Sequence, residues 1–119
     1  MSIQTIAEIG QAHDGSLGIL HSYIDALSKT GVKTVKFQMH NAAKESSKFE
    51  KFRVKFSLQD KTRYDYWKRM ELTEQQWYEV KRHCEDKKVE FLCTPFSVSA
   101  FKLLEKLKVK KYKIGSADI

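Results

Sequence analysis

One proline, five glycines and two cysteines are all that 119 residues hold of the types that break, bend or cross-link a chain. Scarce glycine and proline exclude collagen-like repeats and flexible linkers, and no segment of low complexity or internal repeat is present. Cys84 and Cys93 form neither a CxxC pair nor a ligand cluster, which excludes a disulfide scaffold or a cysteine metal site, so both are expected as buried free thiols. No run approaches the roughly 20 apolar residues of a membrane helix. The start Met1-Ser2-Ile3-Gln4-Thr5 lacks the basic-then-apolar build of a signal peptide. The expectation is a soluble, cytoplasmic protein that does not bind a membrane.

What is present is enough for one folded domain: 41% apolar and 12% aromatic side chains. The net charge of +7 admits nucleic acid, an anionic small substrate or a basic surface. Basic residues crowd 44–69 and 102–113, but Glu45, Glu50, Asp60, Asp65 and Glu105 interrupt them, as on a solvated face. That pattern argues against a nucleic-acid partner.

Strand and helix signals alternate. Thr5 to Gly10 is a short apolar run ended by glycine, suited to a buried parallel strand. Ser16 caps a helix with Leu17, Leu20, Ile24 and Leu27 at helical spacing, closed by Gly31. Val32 to Met39 is a second strand, rich in β-branched and aromatic residues. The connection from His40 to about Leu72 is long, lacks glycine and proline, and is expected to be partly ordered, with a short helix over Tyr64 to Met70. Thr73 and Gln76 fit a capping box opening a helix to about Lys87. Val89 to Thr94 reads as a third strand, stopped by Pro95. Ser97 caps a helix from Val98 to Leu107, and Lys111 to Ile114 reads as a fourth strand.

This alternation predicts an α/β fold with parallel strands joined by right-handed crossovers. A (β/α)8 barrel typically needs about 250 residues. About four βα units would therefore make the first half of a TIM-type barrel, unless the chain is a small open sheet complete in itself.

In such folds chemistry gathers at the C-terminal ends of strands. Those places hold Gln11, His13 and Asp14, then Lys36, Gln38 and His40, then Thr94, then Lys113, Ser116 and Asp118. Lys36 and Lys113 sit inside otherwise apolar strands, where an unpaired charge is costly. Their compensation is either an anionic ligand, with Thr94 and Ser116 adding donors, or a structural ion pair with Glu8 or Asp118. His13 and His40, with Asp14 or Asp118, suit either a divalent-metal site or hydrogen-bonded structural contacts. His21 and His83 read as helix surface residues. The aromatic set Tyr64, Tyr66, Trp67, Trp77 and Tyr78 reads as packing.

Four motifs in order, Ala7-Glu8-Ile9-Gly10-Gln11-Ala12-His13-Asp14-Gly15-Ser16, Val35-Lys36-Phe37-Gln38, Phe91-Leu92-Cys93-Thr94-Pro95-Phe96 and Tyr112-Lys113-Ile114-Gly115-Ser116-Ala117-Asp118, resemble the N-acetylneuraminate synthase family. The resemblance implies the N-terminal part, residues 1–119, of a barrel truncated after its fourth strand. The implied reaction condenses phosphoenolpyruvate with N-acetylmannosamine or a related N-acetylated amino sugar to a sialic acid. It further implies that Lys36, Thr94, Lys113 and Ser116 hold phosphoenolpyruvate, that His13, Asp14 and Gln38 lie near the sugar or reacting centre, and that Asp118 stands at the reacting enol carbon. Asp14 and Asp118 would then be the catalytic carboxylates. A divalent metal, Mn or Mg, would have its ligands beyond Ile119, and the full-length protein would be a homodimer. The fragment alone would be inactive. Two other readings remain at this point: a metal-dependent hydrolase or isomerase using His13, His40 and Asp118, and a basic RNA-binding α/β module.

Overall fold

In the computed structural model, which describes residues 2–119, three parallel strands lie side by side in chain order: β1 (Ile6–Gly10), β2 (Thr34–Met39) and β3 (Glu90–Pro95). Helices α1 (Leu17–Ser28), α4 (Glu74–Asp86) and α5 (Val98–Lys106) follow the three strands, with two shorter helices, α2 (Ala42–Glu45) and α3 (Arg63–Met70), inside the long connection. Parallel neighbours need such crossovers, and every helix here except the single-turn α2 has a capping side chain at its start. Ser16 accepts from the Ile19 N–H, Ser97 from the Ala100 N–H, and Thr73 and Gln76 form the expected capping box. A second box, Thr62 with Asp65, opens α3. Such caps typically contribute about 1 kcal/mol each.

The period of two along each strand divides the sheet into an apolar and a polar face. Val35, Phe37 and Met39 of β2 enter the helix layer with Val89, Phe91 and Cys93, where Leu20, Ile24, Trp77, Val80, Cys84 and Leu104 cover them. Phe37 stacks on Phe91 at 4.9 Å between centroids, and Trp77 meets Phe37 edge-on at 6.3 Å. Burying each such side chain contributes roughly 1.5–3 kcal/mol. Both cysteines are free and buried, as expected, and burial pushes the Cys84 thiol up to about 12 and raises that of Cys93 as well.

Two expectations are corrected. The segment Lys111 to Ile114 is not a fourth strand: it joins β3 only through a single parallel bridge of Tyr112 with Cys93 and a 3.1 Å bond from the Lys113 N–H to the Cys93 carbonyl. It has one neighbour to pair with, and the lysines at 110, 111 and 113 favour water over a buried ladder. The ordered sheet thus has three strands of the four expected. His21 and His83 are not independent surface residues either. Their rings stack across the α1–α4 seam with centroids 4.6 Å apart and the two Nδ1 atoms facing each other, and His83 Nε2 donates to Asp25 at 2.7 Å.

Candidate functional site

The polar face of the sheet collects the strand residues singled out by sequence. Register places Glu8 opposite Lys36, Thr34 opposite Glu90 and Gln38 opposite Thr94. Because Lys36 and Gln38 are two residues apart, both project from the face opposite the helices. Thr94, 2% exposed, closes the row on β3. Lys36, whose side chain is 16% exposed, pairs with Glu8, and the amide nitrogen of Gln38 faces the other Glu8 oxygen at 3.5 Å. The compensating charge for Lys36 within the fold is therefore Glu8. A β-bulge at Gly10 makes this arrangement possible, since a Cβ there would stand 3.2 Å from the Glu8 carboxylate and the residue has φ +55°.

The Gln38 carboxamide oxygen accepts from Gln11 Nε2 and from His40 Nε2, each at 3.2 Å. His40 ends β2 as a buried ring between Trp67 and Phe96, its Nδ1 against Glu45 at 2.7 Å. Among the described residues, the two buried side-chain polar atoms without a hydrogen-bond partner are Gln11 Oε1 and Trp67 Nε1. Both belong to residues that touch this network. Unpartnered buried polar atoms are rare, and they cluster where a ligand or water completes the set.

His13 lies in the turn after β1, 1% exposed, and its Nδ1 accepts from the Gly15 N–H at 3.1 Å. Burial chiefly lowers its pKa, opposed by Asp14. The Asp14 side chain is largely open to solvent yet held by Arg69 of α3, which also binds the buried Asp60 at 2.8 Å. Three hydrogen bonds from Arg69 and one from Ser57 hold the Asp60 carboxyl below its ordinary range against the cost of burial. The long connection is thereby fastened over the β1–α1 turn.

Lys113, Ser116 and Asp118 stand apart from this group. Lys113 is exposed, its ammonium bonded to the Ile114 carbonyl, so the expectation of a lysine buried in an apolar strand does not hold for it. Ser116 and Asp118 lie on an exposed 3-10 turn, Ser116–Asp118, and Asp118 shares a cleft with Lys113, Phe96 and Ser97 at the C-terminal end of β3. No hydrogen bond or ion pair joins Lys113, Ser116 or Asp118 to Lys36, Gln38 or Thr94 among the described residues.

The metal-site reading of His13, His40 and Asp118 loses its geometry. Both nitrogens of His40 are engaged, Nδ1 of His13 is occupied, and no group of three His, Cys, Asp or Glu among the described residues is placed to hold a metal ion. Sequence reasoning gave no site role to Arg69, Glu45 or Phe96: Arg69 reaches the site from a segment distant along the chain, while Glu45 and Phe96, close in sequence to His40 and Thr94, meet the His40 ring only in the fold. No helix among the described residues is long and apolar enough to cross a membrane.

Comparison with known proteins identifies the family of the chain. The chain is 29% identical over 117 residues to an N,N'-diacetyllegionaminic acid synthase of Campylobacter jejuni, which covers 96% of the chain and 35% of that protein. It is 29% identical over 119 residues to the N-acetylneuraminate-9-phosphate synthase of Drosophila melanogaster, covering 98% of the chain and 32% of the relative. The crystal structure of an N-acetylneuraminic acid (sialic acid) synthetase from Leptospira borgpetersenii, in complex with citrate, superimposes with a TM-score of 0.76 at 26% identity, over 95% of this chain and 36% of that one. The chain thus spans about a third of the length of these relatives. The model of the NeuB family matches residues 23–119, and the chain belongs to that family.

Proposed function

We propose that the chain supplies the N-terminal part of a sialic acid synthase-type transferase, residues 1–119 being the first strands of a barrel that is completed by sequence beyond Ile119. The substrates are phosphoenolpyruvate and N-acetylmannosamine or a related N-acetylated amino sugar. The observation that carries this reading is the row Lys36, Gln38 and Thr94 on the polar sheet face, beside the unpartnered Gln11 oxygen.

In the reaction, C3 of phosphoenolpyruvate forms a bond to the open-chain aldehyde carbon of the sugar, water adds at C2, and phosphate leaves with C–O cleavage. Lys36 is a point charge for the anionic substrate, and Thr94 a hydroxyl donor beside it. Lys113 and Ser116 are assigned the remaining phosphate and carboxylate contacts. Gln38, His13 and Asp14 belong to the sugar side, and Asp118 acts at the reacting carbon. Following the family resemblance, a divalent ion, Mn or Mg, is proposed for the full-length protein, with its ligands beyond Ile119. The full-length protein is proposed to be a cytoplasmic homodimer, and residues 1–119 alone to be inactive.

The test is phosphate release from phosphoenolpyruvate by the full-length protein, with N-acetylmannosamine and its relatives supplied in turn. The expected result is sugar-dependent release with a new carbon–carbon bond seen by NMR of 13C-labelled phosphoenolpyruvate. Release without a sugar, or no consumption with any amino sugar, would overturn the reading.

A further inference from the structure

His40 has no part in the reaction as drawn, yet it is the most constrained polar side chain near the site. Its ring lies 3.8 Å from Trp67 and 4.2 Å from Phe96 between centroids, at interplanar angles of 19° and 12°. That sandwich fixes the ring plane and leaves only the two in-plane nitrogens for polar contact. Nδ1 meets Glu45 Oε1 at 2.7 Å, and the other Glu45 oxygen accepts from the Asn41 N–H, locking α2 onto the end of β2. Nε2 meets the Gln38 oxygen at 3.2 Å. A carboxamide oxygen only accepts, so Nε2 donates in this contact, while Nδ1 and the Glu45 carboxyl share a second proton between them.

The consequence falls on Gln38. A terminal carboxamide rotates in a broad, roughly two-fold well, so its two ends are distinguished by their partners. Here His40 and Gln11 both donate to the oxygen, which turns the nitrogen toward Glu8, the partner of Lys36. We propose that His40, braced by Glu45, Trp67 and Phe96, is a positioning residue that sets which end of the Gln38 carboxamide faces the Glu8–Lys36 pair. This deepens the synthase reading and rests on it for the role of Gln38.

The experiment compares the full-length protein with His40→Phe, Gln38→Met and the double variant. Phenylalanine keeps the aromatic sandwich and removes both hydrogen bonds. His40→Phe is expected to lower kcat about tenfold, the loss of one well-placed hydrogen bond, with the phosphoenolpyruvate KM changed by less than about twofold. The double variant should be no slower than Gln38→Met, because the effect passes through Gln38. Additive losses, or wild-type kcat in His40→Phe, would overturn the proposal.

A second readout does not need activity. In protein labelled with 15N-glutamine, the side-chain amide pair of Gln38, assigned by its disappearance in Gln38→Met, should shift in His40→Phe. It should shift by a smaller amount in Glu45→Gln, which keeps the imidazole in place. If no sugar supports turnover, the synthase reading fails while this shift still decides the positioning; an unmoved Gln38 resonance in both variants would sink it.

Discussion

A Cβ on Gly15 would stand 2.1 Å from the carbonyl oxygen of Arg69. The turn after β1 and the end of α3, more than fifty residues apart in sequence, therefore meet with no room for a side chain. The Arg69 guanidinium completes the contact by holding both Asp14 and Asp60.

Gly15→Ala should consequently be among the most damaging single-methyl changes in the chain. It faces a left-handed backbone at φ +77° and a backbone clash together, and a loss of about 2–4 kcal/mol in urea unfolding is expected. Gly31→Ala is the control: φ is +84° there, but nothing lies within 4 Å of the added carbon. It should cost about 1–2 kcal/mol, the conformational part alone. Equal losses at the two positions would mean that α3 simply moves away from the turn.

Arg69→Met should leave the buried Asp60 with Ser57 as its remaining side-chain partner and cost about 2–4 kcal/mol at neutral pH. The pH dependence has a definite sign. Asp60 titrates below its ordinary range in the folded protein, first because of Arg69, so its stabilisation is present above that range and is lost as pH falls through it. The variant has lost that contribution already. Its stability should therefore fall less steeply on acidification than that of the wild type, which thermal melts between neutral and acid pH would measure.

The histidine pair across the α1–α4 seam has its own pH signature. Burial, and then His83, lower the pKa of His21, while Glu79 and Asp25 oppose them. A lowered folded pKa means that the neutral ring is favoured in the fold, so stability is complete above the ordinary histidine value of 6.5 and is lost as pH falls below it. His21→Gln should flatten this part of the stability profile. Part of the slope should survive, because burial lowers His13 in the same direction. An unchanged profile in the variant would show that the stacked pair is not the source.

In the full-length protein, Lys36→Met and Lys113→Met should both raise the phosphoenolpyruvate KM far more than the sugar KM. Truncating a lysine bound to an anion costs roughly 2–5 kcal/mol, much of it from the ligand charge left unpaired. Asp118→Asn should instead lower kcat by about 10²–10⁴ with little change in the phosphoenolpyruvate KM, since general acid–base groups act only as bonds change. Small, equal effects from all three would mean that structural residues had been given catalytic roles.

Local chemistry made much of the fold legible in the sequence. Ser16, Thr73 and Ser97 announce helix starts because their side chains bond backbone N–H groups three residues ahead, a contact that needs no tertiary partner. The β2 run from Thr34 to Met39 declares both its strand and its two faces through alternation, and this alone places Lys36 and Gln38 together. The apparent fourth strand misled for a related reason: a short run with two apolar members, Tyr112 and Ile114, has strand character, but a ladder also needs neighbours, which local composition does not report. Only the tertiary structure decided that Glu8 compensates Lys36, that Arg69 holds Asp14, and that His40 is gripped by Trp67 and Phe96. Each of those contacts joins segments far apart along the chain. Their geometry follows from how the strands register and how the long connection folds back across the sheet, a cooperative outcome of packing to which no local window has access.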